Sequence, residues 1–148
     1  MTTRPPEPVG VPGVDRPQSG LARGLVVFEG ARGEVAVEVE VAQDDEQRRI
    51  GLMLRRHLAD GQGMLFIMPD QRVHAFWMKN TLIPLDMIFV DEQRVVAGVV
   101  ERTEPLDLTP RSVGKPSRFV VEVPGGFAAR AGIAAGDRMR IEGVAGLP

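Results

Sequence analysis

The sequence predicts a compact, mainly-β (α+β) domain: an antiparallel β-sandwich or squat barrel of about seven strands with two short helices. Three observations lead there. Residues 34–41 alternate strictly, Val35, Val37, Val39 and Val41 against Glu34, Glu38 and Glu40 with Ala36 among them, which is the signature of a half-buried strand. Short apolar runs then recur along the chain, several separated only by turn residues such as Pro69-Asp70 and Asp91-Glu92. Gaps that short suit antiparallel hairpins, because a parallel crossover needs a dozen or more residues. Only two segments carry helical signals.

Residues 1–23 hold Pro5, Pro6, Pro8, Pro12 and Pro17 with Gly10, Gly13 and Gly20 between them, and are expected to be a disordered, partly extended leader. A single globular domain is expected over 24–145. Its first strand is the apolar run 25–28, and the alternating run 34–41 is its second. Asp44 is a candidate N-cap, with Gln47 three residues on in capping-box position. From there Ile50, Met53, Leu54 and Leu58 form one apolar stripe at helical spacing, with Arg55 and Arg56 near the end, where the helix dipole favours cations. Asp60-Gly61-Gln62-Gly63 closes the segment with turn chemistry. Strands are expected at 64–68, 73–79, 85–90 and 95–101, and again at 118–123 and 137–142. Residues 103–117 read as a long loop, and 124–131 as a short helix with Gly132 at its C-terminal end.

Composition narrows the function. The 148 residues carry 18 basic and 20 acidic side chains, a formal charge of −2. Nucleic-acid binding needs a basic face that displaces counterions from phosphates, and no such excess exists here. There is no cysteine, which excludes disulfides, thiolate metal sites and a cysteine nucleophile. No apolar stretch approaches the roughly 20 residues of a membrane-spanning helix. The chain holds no zinc-protease, phosphate-loop or nucleophile-elbow pattern. No catalytic residue, cofactor or metal is therefore assigned, and a monomer is expected.

Three stretches stand out together: Gly51-Leu52-Met53-Leu54-Arg55, Gly63-Met64-Leu65-Phe66, and the run from Phe76-Trp77-Met78-Lys79-Asn80-Thr81 through Leu82-Ile83-Pro84-Leu85-Asp86. With Glu46 and Arg48 upstream, and Val121-Glu122-Val123-Pro124-Gly125-Gly126, Ala131-Gly132-Ile133 and Gly136-Asp137 downstream, the chain resembles the family called domain of unknown function 192 over roughly residues 35–141. The resemblance implies a compact mainly-β domain of a bacterial family whose members are often exported, and it implies no reaction, substrate or cofactor. It also marks a departure: the loop 106–115 often carries a cysteine and a tyrosine in such proteins and has neither here. The resemblance and the proline-rich leader together lead to the expectation of an exported, tethered domain, with a cytoplasmic one as the alternative.

The sharpest candidate site is 77–86. If its flanks pair as a hairpin, Lys79 and Asp86 face each other across the neck, and Asn80, Thr81 and Pro84 shape the loop. A polar cluster of Lys79, Asn80, Thr81 and Asp86 beside Trp77, with Arg55 brought in from the helix, can grip a small anionic or sugar-like ligand. Its plainer role is a salt bridge and caps on turn backbone. Trp77, between Phe76 and Met78, is expected in the core, where truncation to Ala costs roughly 3–5 kcal/mol. Met53, Met64, Met68, Met78 and Met87 with His74 offer soft metal ligands, but methionine within apolar runs mostly fills core gaps. The leading expectation is a non-enzymatic ligand-binding or accessory domain. The alternatives are a small hydrolase-like enzyme using Asp86, Lys79 and Asn80, and a Met/His metal-binding domain.

Overall fold

The structure, a computed structural model, describes residues 14–148. Seven strands and two short helices follow in the order β1 (Ala22–Gly30), β2 (Gly33–Ala42), α1 (Asp45–Ile50), β3 (Gln62–Val73), β4 (Leu85–Val90), β5 (Val96–Thr103), β6 (Pro116–Pro124), α2 (Phe127–Ala131) and β7 (Arg138–Glu142). All strands belong to one sheet with the order β5-β4-β6-β3-β2-β1-β7. The edge strands meet at their ends, where Val95 bridges Arg138, Val96 N–H donates to the Asp137 carbonyl and Met139 N–H to the Arg94 carbonyl, each at 2.8 Å. The sheet thus curls on itself in a sandwich-like way without closing into a barrel.

The mainly-β class, the number of strands and the two helices agree with the sequence. The purely antiparallel pairing does not, because β2 and β3 run parallel, with Val39 beside Gly63 and Val41 beside Leu65. The reason is the connection between them, which contains α1 and is long enough for a crossover. The strand expected at 64–68 also continues to Val73. It passes Pro69 through a break in register between Ile67 and Arg72, where a proline costs the ladder no hydrogen bond.

Curling gives the sheet two buried faces. The inner one gathers Val26, Phe28, Val39, Leu65, Phe119 and Val121, closed off by Phe127 of α2. The outer one gathers Met64, Phe66, Met87, Phe89 and Val120 under Leu52 and Met78, which come from connecting segments. A strand buried on both faces carries near-continuous apolar sequence, and β4 and β6 do so. Met64, Met78 and Met87 are all fully buried in the second layer.

The close approach of β3 to β6 depends on Gly63. A Cβ on Gly63 would strike the backbone carbonyl of Glu122 and meet Val123 and Val37 side chains at 3.2 and 3.3 Å. Gly63→Ala should therefore push β3 from β6 and cost about 1–3 kcal/mol, the usual penalty of overpacking. Urea unfolding would show it as a lower midpoint at unchanged slope; an unchanged midpoint would mean that the strands yield freely.

The leader expected over 1–23 falls largely outside the described residues. Within its described part, Gln18 Nε2 donates to the carbonyls of Gln47 and Gly51 at 3.0 and 2.9 Å, Leu21 is buried, and β1 already starts at Ala22. The packed structure thus reaches back before residue 24, because this segment packs on the end of α1.

Candidate functional site

The site starts from the way α1 ends. Asp44 caps it as expected, its carboxylate accepting from Gln47 N–H at 2.7 Å, while the Gln47 side chain accepts from Gln43 N–H at 3.0 Å. The helix does not continue to Leu58. Gly51 adopts φ 50°, ψ −129°, which only glycine takes readily, and it lies against the Phe66 ring, so the chain turns and buries Leu52 and Met53 on the sheet. Leu54, itself at positive φ, donates its N–H to the Asn80 carbonyl at 2.8 Å and so ties this turn to the next segment.

That next segment, 74–81, is not the strand that its alternation predicts. It makes a single bridge, Phe76 with Arg111, and Met78 N–H donates to the Asp107 carbonyl at 2.9 Å, so its partner is the loop 104–111 rather than the sheet. The alternation of faces survives. His74 and Met78 are buried and Phe76 points inward, meeting Phe66 edge-on at 4.9 Å between ring centres, while Trp77 points out and is 46% exposed. The expectation of a core tryptophan is corrected accordingly: Phe76 and Met78 fill the core, and a residue between them must face the other way. Lys79 Nζ sits 4.8 Å from the centre of the Trp77 ring, a cation–π contact.

Between these segments and the outer face of the sheet lies a cavity of about 230 Å³. Leu52, Met53, Phe66, Met68, Phe76 and Trp77 make most of its wall, and Arg48, Arg49, Lys79 and Thr81 supply polar groups. Arg48 is already committed: its guanidinium donates to Asp45 and to the carbonyls of Gln43 and Ile67. Arg49 is exposed, and Thr81 Oγ1 donates to the Lys79 carbonyl.

The wall also contains Glu122 of β6, 4% exposed. It faces the outer layer between its cross-strand neighbours Met64 and Met87. Among the described residues its side chain makes no hydrogen bond and no ion pair. Burial alone pushes its carboxyl up to about 8, so at neutral pH it is mostly a neutral acid with an O–H to give. Sequence reasoning did not single out Glu122 as a site residue, although the signal was present: one charged side chain inside the otherwise apolar run 119–123.

Of the six residues expected to form one cluster, Trp77, Lys79 and Thr81 share this cavity. The other three lie elsewhere. Because the helix ends at Gly51, Arg55 does not share a helical face with Arg48. It pairs bidentately with Glu40 at 2.7 and 2.9 Å and also donates to the Gln18 carbonyl. Asn80 takes a left-handed turn position, φ 56°, with its amide 3.7 Å from the Met53 sulfur. Asp86 does not face Lys79. Its carboxylate is fully buried and accepts the N–H groups of Arg102 (2.8 Å), Gly126 (3.0 Å) and Ala128 (2.9 Å), which makes it the cap that Gly126 cannot provide for α2. With both Asp86 oxygens so used, Asp86, Lys79 and Asn80 do not form a catalytic group.

Comparison with known proteins adds two solved structures. A protein of unknown function from Novosphingobium aromaticivorans DSM 12444 is 36% identical, with a TM-score of 0.81, over 95% of this chain and 99% of that one. A Sinorhizobium meliloti 1021 protein, provisionally described as a transcription regulator, is 34% identical, with a TM-score of 0.80, over 84% of this chain and 97% of that one. No curated protein matches. The profile of the DUF192 family, described as an uncharacterised ACR, matches residues 27–141, the stretch from β1 to β7 that includes every wall of the cavity, and the chain belongs to that family.

Proposed function

We propose that this chain is a small-ligand-binding domain and that the cavity under Trp77 takes an amphipathic organic acid. The observation that carries the reading is the pairing of an outward-facing tryptophan with an apolar cavity that the core does not fill. Leaving a large aromatic ring half in water forgoes burial energy, and ligand sites gain from such rings. Lys79 on the Trp77 ring and the exposed Arg49 give the mouth two cations for an acid group. Phe66, Phe76 and Met68 give the body of the ligand an apolar bed.

The chain contains one tryptophan and no tyrosine, so its intrinsic fluorescence reports on the mouth of the cavity alone. Titration with octanoate should change Trp77 emission saturably. It should also raise the melting temperature, since a ligand held at a hundred times its Kd stabilises the native state by about 2.7 kcal/mol. Replacing Arg49 and Lys79 by Ala should weaken binding at least several-fold and make it less sensitive to salt. Trp77→Phe should leave stability within about 1 kcal/mol, the range of exposed sites, while reducing the octanoate shift of the melting temperature. Saturation by neither octanoate nor other small organic acids would refute the reading.

A further inference from the structure

The floor of the cavity differs from its mouth. Glu122 comes from β6, in the middle of the sheet, and the side chains beside it on the same face are those of Met64 and Met87. From the covering segments Leu52, Met53 and Phe76 line the same cavity. The ionisable groups that share the cavity with it are Arg48, Arg49 and Lys79. Arg48 is bound to Asp45 and two carbonyls, Lys79 lies on the Trp77 ring, and Arg49 faces solvent. A carboxylate placed so, with no ion pair and no hydrogen bond among the described residues, is strongly disfavoured relative to the neutral acid. The neutral acid carries one O–H, and among the described residues no hydrogen bond or ion pair engages this buried carboxyl.

We propose that Glu122 meets the ligand as a neutral acid and donates a hydrogen bond to it. The site then selects organic acids that carry an oxygen acceptor at the end remote from their acid group, and turns away those that carry an ammonium there. This rests on the reading of the cavity as an organic-acid site. With the acid group held by the cations at the mouth, the far end of a short chain is the part that reaches Glu122. An acceptor there satisfies the O–H; a plain methyl leaves it unused; an ammonium must be desolvated.

Three probes of one chain length separate the two claims: octanoate, 7-oxooctanoate and 8-aminooctanoate, each titrated against Trp77 fluorescence from about pH 6 to about pH 9. At the acid end 7-oxooctanoate should bind about tenfold tighter than octanoate, the worth of one hydrogen bond. That advantage should fade as the pH rises through about 8. In Glu122→Gln, whose amide still donates, the advantage should persist and lose its pH dependence; in Glu122→Leu it should vanish while octanoate still binds. If octanoate fails to bind the wild-type chain, the cavity reading itself fails. If octanoate binds but 7-oxooctanoate does no better at any pH, or 8-aminooctanoate already binds tighter than octanoate at the acid end, the cavity reading stands and the donor role of Glu122 is overturned.

Discussion

Replacing Asp86 by Ala should cost this fold about 3–5 kcal/mol, which for a chain of this length lowers the melting temperature by roughly 10 °C or more. Three backbone N–H groups, those of Arg102, Gly126 and Ala128, converge on one buried carboxylate. Each buried donor left without a partner costs about 1–3 kcal/mol, and α2 loses its cap as well. The damage spreads because the donors belong to β5, to the turn after β6 and to α2, while the acceptor belongs to β4. Asp86→Asn should cost less, about 2 kcal/mol, because an amide oxygen can still take the two N–H groups that share Oδ1. The control is Lys79→Ala. A salt bridge between Lys79 and Asp86 would make the two alanine variants similarly unstable, whereas the observed contacts predict a near-normal midpoint for Lys79→Ala in chemical denaturation. An Asp86→Ala variant within about 1 kcal/mol of wild type would show that water replaces the carboxylate freely.

Asp86 and Glu122 show how far the sequence can be read. Each is a lone acid in an apolar strand, Leu85–Val90 and Pro116–Pro124, and the strands themselves are plain from their composition. Such an acid announces that something special faces it. What faces it depends on neighbours that are remote in sequence. Val123, opposite Asp86, shares its face with the start of α2, where the N–H groups of Gly126 and Ala128 need an acceptor; Met87, opposite Glu122, shares its face with a cavity where none do. One position of register decides between a structural cap and a site residue, and register was not fixed by any local pattern.

The segment 74–81 teaches the converse. Its alternation correctly separates His74, Phe76 and Met78 from Trp77, yet the ladder inferred from that alternation is absent, since the loop 104–111 supplies its backbone partners instead. Period-two burial needs only an extended chain lying on a core. Once Phe76 and Met78 are placed inside, the same alternation puts Trp77 outside, so its exposure was legible; the apolar composition around it pointed the other way. The helix beginning at Asp44 was also legible at its capped end. Its early stop was not, because the apolar stripe continues past Gly51 in sequence while the backbone turns there.

Glu122 should also make the stability of the fold depend on pH in a direction opposite to that of salt-bridged carboxylates. Its folded-state value stands at about 8, above the ordinary 4.5 that the unfolded chain recovers. Below 4.5 both states carry the proton, and the stability associated with this group is fully present. As the pH rises, the unfolded chain releases its proton while the folded chain still holds it, so unfolding gains on folding by about 1.4 kcal/mol per pH unit. The loss is complete once the pH passes the folded-state value, and on the order of 5 kcal/mol accumulates across the window. Other groups titrate in the same range, so the informative quantity is the difference between the wild-type chain and Glu122→Gln, which keeps the shape and has no proton to lose. Measured by urea unfolding, that difference should be flat below about pH 4.5, shift steadily in favour of the variant up to about pH 8, and be flat again above. Glu122→Leu should follow the variant's course, since an apolar side chain suits Met64 and Met87 at any pH. Parallel stability curves for wild type and Glu122→Gln would mean that Glu122 is hydrated in the folded chain as fully as in the unfolded one, and the neutral floor of the cavity would fall with it.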